Sequence, residues 1–280
     1  MNKQYIERYL KEKVEDFIKE LGITTDMQRK VKNNVVVAGG SIRSLLSGEE
    51  PNDIDIYFKD QKLLFEVVRQ VIDDNYVEAS VLLGNPNEDD GSYDVGDGRT
   101  NNGSNGVYVW LQSMGVWEPD DEPDPEKQEV AFITGNAITF SNGFQLVTRF
   151  TGSEEEILST FDFAHTTNYY SIQKGLVLND EALVAILNKQ LVYVGSKYPL
   201  ASLMRIKKFE KIGYSIPTSE LLKIAFNLND FDLTDEAVLA DQLTGVDVSY
   251  TGELVREVKS YGKDIDTGYL MKLASEIYVE

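Results

Sequence analysis

A short motif near the N-terminus constrains the fold of this chain more than any other feature. An apolar run, Val35–Ala38, leads into Gly39-Gly40-Ser41 and a helical pattern, and a second apolar run then carries Asp53 and Asp55. Because side chains alternate along a strand, the two carboxylates are expected on one face, as two ligands of one metal ion must be. Glycines let the backbone approach an anion closely, and the N–H groups that begin the next helix can bind it. This order of parts is typical of a metal-dependent site for a nucleoside triphosphate.

The motif resembles the head of the DNA polymerase beta nucleotidyltransferase superfamily, and within it the CCA-adding enzymes and bacterial poly(A) polymerases. That head follows the pattern G-G-x-V-R-D-x-L-L-G and then D-I-D-[IFL], which residues 39–48 and 53–56 match. The resemblance implies an α+β fold: a nucleotidyltransferase head, with a mixed twisted sheet and flanking helices, followed by a small all-helical domain. The expected domains are residues 1–170 for the head and 171–280 for the helical neck and body.

The resemblance also implies a reaction and a set of site residues. Two Mg²⁺ or Mn²⁺ ions held by Asp53, Asp55 and a third carboxylate would align an acceptor hydroxyl with the α-phosphate of an NTP. Asp162 is the candidate for the third carboxylate, with a residue of the insertion described below as the alternative, and Asp162 also fits a structural link between the domains. Arg205 and Lys208 fit either phosphate binding or an ordinary basic helix face. The nucleotide-binding candidates are Gly39, Gly40, Ser41, Arg43, Arg205 and Lys208.

Several positions depart from the family pattern. Thr160 and Phe161 stand where paired arginines contact the nucleotide, and Ser44 replaces the acidic residue after Arg43. The acidic pair of the family's E-D-x-x-R motif has no counterpart near residues 198–202. Two hypotheses follow. The chain is either an active nucleotidyltransferase that uses an NTP on an unidentified acceptor hydroxyl, such as an RNA 3′ end, or a degenerate head kept as a binding or scaffold protein.

The composition narrows the classes of binding partner and the cellular location that are expected for this chain. The 280 residues carry a net charge of −20, which disfavours a broad nucleic-acid-binding surface because phosphate backbones require positive charge. The chain has no cysteine and one histidine, so oxygen ligands remain as the basis of a metal site. No apolar run approaches the roughly 20 residues of a membrane helix, and no signal-peptide core is present. We therefore expect a cytoplasmic protein from a bacterium or bacteriophage.

Residues 85–129 form an acidic insertion within the predicted head. They hold twelve Asp or Glu residues and only two basic ones, Arg99 and Lys127, in a stretch rich in Gly, Asn and Pro. Such a composition buries too little apolar surface to offset the cost of ordering the chain, so a long mobile loop is predicted. Residues 107–111 within it are apolar enough for a short strand or a docking element.

Hydrophobic periodicity around the insertion predicts the elements of the head. Apolar residues at three- and four-residue spacing predict a helix over residues 3–21 and another over 63–72. Residue type and turn signals predict strands over residues 77–83, 131–136, 137–141 and 144–150. Ser153 and Glu156 have the spacing of a capping box, which predicts a short helix after the last of these strands.

Overall fold

The computed structural model describes residues 2–83, 106–111, 116–243 and 266–277. The predicted mobile loop lies partly outside this range, at residues 85–105 and 112–115. The helical domain expected over residues 171–280 also lies partly outside it, at residues 244–265 and 278–280. Within the described part of the chain, no helix is both long enough and apolar enough to cross a membrane.

All ten described strands lie in the first two thirds of the chain, between six helices, and helices alone form the elements described after residue 188. The helices are α1 (Lys3–Glu20), α2 (Thr25–Asn34), α3 (Gly40–Ser47), α4 (Gln61–Asp74), α5 (Glu154–Leu158), α6 (Asp180–Asn188), α7 (Pro199–Lys211), α8 (Thr218–Leu228), α9 (Glu236–Gln242) and α10 (Thr267–Ile277). The strands are β1 (Val35–Ala38), β2 (Ile54–Phe58), β3 (Ala79–Leu83), β4 (Val107–Leu111), β5 (Val116–Trp117), β6 (Val130–Thr134), β7 (Ala137–Phe140), β8 (Phe144–Thr151), β9 (Tyr169–Ser171) and β10 (Gly175–Val177). The α+β class predicted from the sequence is confirmed.

The chain divides into two compact units. The first consists of Met1–Phe161 and His165–Ile186, and the second of Asp162–Ala164 and Leu187–Glu280. The first unit contains the sheets, including β9 and β10. The second contains α7 to α10 and a small core formed by Phe163, Leu191, Tyr193, Ile206, Tyr214 and Ile224.

A mixed sheet forms the centre of the first unit. Its described strands follow the order β10-β9-β1-β2-β8-β7-β6-β5, and β2 pairs parallel with β8 while the other neighbours pair antiparallel. β3 and β4 form a separate antiparallel pair. Residues 107–111 of the acidic insertion are therefore a strand, and residues 116–117 add a short strand at the β5 edge of the main sheet.

One face of the central strands packs into the core of the first unit. Ile54, Ile56 and Phe58 of β2 are buried there together with residues of α1 and α4. The apolar stripe of α1 that the sequence predicts is also buried: it consists of Ile6, Leu10, Val14 and Phe17. The ring of Phe17 lies 5.2 Å from that of Phe144 and 5.9 Å from that of Phe140, measured between centroids. These contacts attach α1 to the sheet.

Replacement of Phe17 tests this packing. Because the side chain is fully buried between aromatic rings, Phe17→Ala should lower the free energy of unfolding by about 3–5 kcal/mol. Glu12→Ala, at an exposed position of the same helix, should change it by no more than about 0.5 kcal/mol. Urea unfolding followed by circular dichroism measures both. Equal effects of the two variants would contradict the placement of α1.

Candidate functional site

The turn between β1 and α3 requires glycine at its first position. Gly39 has φ +94° and ψ −149°, a backbone conformation open essentially to glycine alone. A β-carbon added to Gly39 would lie 3.0 Å from Oδ2 of Asp55. The Gly39 N–H donates a hydrogen bond to the Thr166 carbonyl at 3.2 Å. The turn is thus held directly against the carboxylate of β2.

The N-terminus of α3 follows this turn and presents unused donors. Gly39 is its N-cap, and no side chain caps the first turn. The first N–H groups of a helix have no carbonyl partner within it and lie at the positive end of its dipole. Ser41 is buried, and its Oγ has no hydrogen-bond partner among the described residues. Backbone donors and a buried hydroxyl are the groups that a phosphate would use here.

Asp55 lies on the face of β2 opposite the main core, a face on which Tyr57 is buried in a second hydrophobic cluster. Asp53 immediately precedes the strand and is exposed, whereas Asp55 lies within the strand and is half-buried. Ile54 and Ile56 alternate with them and are buried in the core. Side-chain alternation therefore directs Asp55 away from the main core, and the placement of both carboxylates on one face stays a prediction.

The donor set fits a small divalent cation. Carboxylate oxygens are the ligands that Mg²⁺ and Mn²⁺ prefer, and Mg²⁺ is commonly held by one or two carboxylates together with substrate phosphates. The lack of a β-carbon at Gly39 leaves room for the backbone to lie close to Asp55 Oδ2. Over residues 2–83, 106–111, 116–243 and 266–277, no group of three or more His, Cys, Asp and Glu side chains is placed to hold a metal ion.

Arg43, a predicted nucleotide ligand on α3, forms an ion pair with Glu49, which follows the end of this helix. Its guanidinium Nη1 contacts Oε2 of Glu49, and its side chain is 13% exposed. Glu49 reaches this position because Gly48 ends α3 in the left-handed conformation, at φ +78°. A phosphate would have to compete with Glu49 for Arg43. The sequence analysis missed this pair, since the six-residue separation corresponds to no standard helical pairing.

The other predicted site residues lie in the second unit. Asp162 and Arg205 form an ion pair there, with 2.6 Å between Oδ2 and Nη1 and side chains 8% and 29% exposed. The backbone carbonyl of Asp162 accepts a hydrogen bond from the N–H of Val194. Lys208 is exposed, three residues after Arg205 on α7. These contacts are those of a residue that joins segments of the second unit, and the catalytic role of Asp162 stays a prediction.

The hydroxyl of Tyr193 belongs to the same part of the second unit. Burial, and secondly the charge of Asp162, raise the pKa of Tyr193 to about 12. The hydroxyl is therefore protonated at neutral pH, and it donates a hydrogen bond to Oδ1 of Asn227 at 2.7 Å.

Comparison with known proteins identifies relatives of the chain. The model of a family described as Gabija anti-defense 2 family protein matches residues 8–189. A curated protein from Bacillus phage SPbetaL7, named Gabija anti-defense 2, is 21% identical over 222 residues. The match covers 77% of this chain and 42% of that protein, so the chain spans less than half the length of this relative.

Similar solved structures include tRNA-processing enzymes. The Thermotoga maritima CCA-adding enzyme complexed with tRNA is 12% identical, with a TM-score of 0.41, over 92% of this chain and 53% of that one. The Bacillus stearothermophilus CCA-adding enzyme in complex with CTP is 13% identical, with a TM-score of 0.40, over 86% of this chain and 50% of that one.

A matched pair of glycine variants tests the geometry of the turn. Gly39→Ala should lower the free energy of unfolding by about 1–3 kcal/mol, because alanine is strained at φ +94° and its β-carbon meets Asp55. Gly40→Ala should leave stability unchanged or raise it by up to about 1 kcal/mol, since a β-carbon there meets nothing within 4 Å. Thermal and urea unfolding of the two variants measure the difference. Similar effects at both positions would show that the turn has another conformation.

A double-mutant cycle tests the structural contribution of Asp162. Asp162→Asn should destabilise the chain by about 1–3 kcal/mol, because it weakens a largely buried, charge-assisted contact with Arg205. Combined with Arg205→Met, the losses should fall short of additivity by roughly 1 kcal/mol. Urea unfolding of the wild type, both single variants and the double variant supplies the four values. Strict additivity would mean that the two side chains do not interact in solution.

Proposed function

Because the chain belongs to the Gabija anti-defense 2 family, we propose that it counteracts Gabija defence as a divalent-cation-dependent nucleotidyltransferase. The reaction transfers a nucleoside monophosphate from an NTP to an acceptor hydroxyl and releases pyrophosphate. The observation that carries the proposal is the approach of Gly39 to Asp55, with only 3.0 Å between Asp55 Oδ2 and the position of a β-carbon. This close approach supports a phosphate-binding role for the turn, beside a carboxylate that would bind a cation.

Each candidate site residue of the first unit has a defined task in this reaction. The N–H groups at the start of α3 and the Ser41 hydroxyl bind the terminal phosphates of the NTP. Gly39 and Gly40 keep this approach free of side chains. Asp53 and Asp55 would hold the divalent cation. Arg43 exchanges Glu49 for a phosphate oxygen when the nucleotide binds.

The residues present would hold Mg²⁺ or Mn²⁺ through Asp53 and Asp55. When bound, such an ion neutralises charge on the phosphates and favours attack on the α-phosphate. The protein's own contribution is to position the nucleotide and acceptor and to supply fixed N–H donors to the phosphates. Asp162, Arg205 and Lys208 remain candidates for contacts with the nucleotide or the acceptor.

The acceptor hydroxyl is either that of an RNA 3′ end or a hydroxyl of another molecule. A net charge of −20 favours an acceptor that contacts the protein over a short stretch, since a long phosphate backbone would be repelled. The phage origin of the curated relative supports action in the cytoplasm of an infected bacterium, where NTPs and Mg²⁺ are both abundant.

A second function is a binding protein that has kept the nucleotidyltransferase head without its chemistry. The ion pairs of both predicted phosphate-binding arginines favour it, because Arg43 and Arg205 already contact Glu49 and Asp162. Thr160 and Phe161 favour it as well, because they stand where the pattern of the CCA-adding enzymes has paired arginines. In that case the protein would act on Gabija by occupying a surface and would need no NTP.

Nucleotide binding separates the two functions. Isothermal titration of each of the four NTPs, with Mg²⁺ present, should show binding to the wild type for at least one base. The double variant Asp53→Asn, Asp55→Asn should bind that NTP roughly tenfold or more weakly, because both ligand charges are lost. Asp73→Asn, Asp74→Asn makes the same charge change at exposed positions of α4 and should bind like the wild type.

A cellular assay tests the link to Gabija with the same variants. In a bacterium that carries Gabija, the wild type and the α4 control should restore phage growth, and the Asp53/Asp55 variant should not. Full activity of the Asp53/Asp55 variant in cells, together with no binding of any NTP by the wild type, would support the binding protein and refute the enzyme.

A further inference from the structure

Gln145 lies next to Asp55 in the sheet, although 90 positions separate them in the chain. The parallel pairing of β2 with β8 places Asp55 opposite Gln145, and the antiparallel pairing of β8 with β7 places Gln145 opposite Thr139. Residues paired in this way project from the same face. Adjacent strands are roughly 4.8 Å apart, so a side chain at position 145 can reach an ion bound by Asp55.

The amide of Gln145 is held by its other neighbour. Its Nε2 donates a hydrogen bond to Oγ1 of Thr139 at 3.0 Å, and the side chain is half-buried. The amide oxygen remains as the donor atom that Gln145 can offer to a cation. Unlike a carboxylate, this oxygen carries no formal charge, so it attracts a divalent ion much less strongly.

The charge of the ligand set controls how tightly a site binds a hard cation. For oxygen-ligand sites, the affinity rises with the number of charged ligands and with rigidity. The residue that pairs with Asp55 on β8 is an amide, Gln145, and not a carboxylate. A glutamate at position 145 would add a negative charge beside Asp55, which the amide does not.

We propose that Gln145 is a specificity-determining residue that keeps the affinity of the Asp53–Asp55 site for a free divalent cation low. The inference rests on the proposed cation site at these two aspartates. Its consequence is that the cation needs the phosphate oxygens of the nucleotide as further ligands. The ion then binds together with the nucleotide, and the nucleotide-free protein does not retain it.

The test is the affinity of the nucleotide-free protein for Mn²⁺, measured by electron paramagnetic resonance of the free ion. Gln145→Glu preserves the size of the side chain, and a carboxylate can still accept a hydrogen bond from the Thr139 hydroxyl. This variant should bind Mn²⁺ roughly tenfold or more tightly than the wild type. Gln145→Asp adds the same charge and is the variant to measure if Gln145→Glu does not fold.

Two control variants isolate the cause. Gln173→Glu makes the same charge change at an exposed position of the first unit, where Gln173 contacts Lys59, and should bind Mn²⁺ like the wild type. Asp53→Asn and Asp55→Asn, added to Gln145→Glu, should remove the gain, because the three side chains act as one site. Mn²⁺ affinity of Gln145→Glu within twofold of the wild type would overturn the proposal, as would an equal gain in Gln173→Glu.

Failure of this inference and failure of the proposed function are distinguishable. The Mn²⁺ titration contains no nucleotide, so its outcome is independent of whether the protein binds NTPs. A gain in Gln145→Glu without NTP binding by the wild type would support the cation site and refute nucleotidyl transfer. NTP binding that depends on Asp53 and Asp55, with no gain in Gln145→Glu, would support the transferase and refute the role of Gln145.

Discussion

In β2, burial of Ile54, Ile56 and Phe58 in the core directs Asp55 to the opposite face of the sheet. The side-chain period of a strand is two, so a shift in register by one residue would expose the apolar set and bury the carboxylates. Burying an unpaired carboxylate costs far more than any contact it could make in that core. The core thus determines where the candidate site lies, and the site depends on the register of β2 with its two neighbours.

The parallel pairing of β2 with β8 brings Gln145 next to Asp55. Parallel strands cannot be joined by a tight turn, and here the connection contains α4, β3, β4 and the acidic insertion. The entropic cost of closing a loop rises only slowly with its length, so an insertion of this size can be accommodated between paired strands. β4 and β5 show that parts of the insertion use their apolar residues in sheets. The acidic residues of the insertion therefore flank ordered elements.

Charge pairing distinguishes the two functions considered for this chain. Arg43 contacts Glu49 and Arg205 contacts Asp162, so each arginine has a carboxylate partner before any ligand binds. Such a partner lowers the gain from a phosphate, because the existing ion pair has to be broken. The unpaired donors of the site are neutral: the first N–H groups of α3 and the hydroxyl of Ser41. Neutral donors can bind a phosphate, but its charge then has to be compensated by the cation it carries. Under the proposed function, nucleotide and cation would therefore depend on each other for binding.

Local patterns in the sequence determined the elements on which this site is built. Alternation in β2, the apolar stripe of α1 and the capping box at Ser153 depend on neighbours within a few residues, and all three appear in the structure. The tertiary structure decided which distant residues meet. Nothing near Gln145 in the sequence indicates Asp55 as its neighbour, because strand pairing depends on the whole sheet. The partner of Asp162 was likewise decided by the packing of the second unit around Phe163 and Tyr193. Side-chain period is a property of a single segment, whereas register and ion pairing are properties of segments brought together by a shared core.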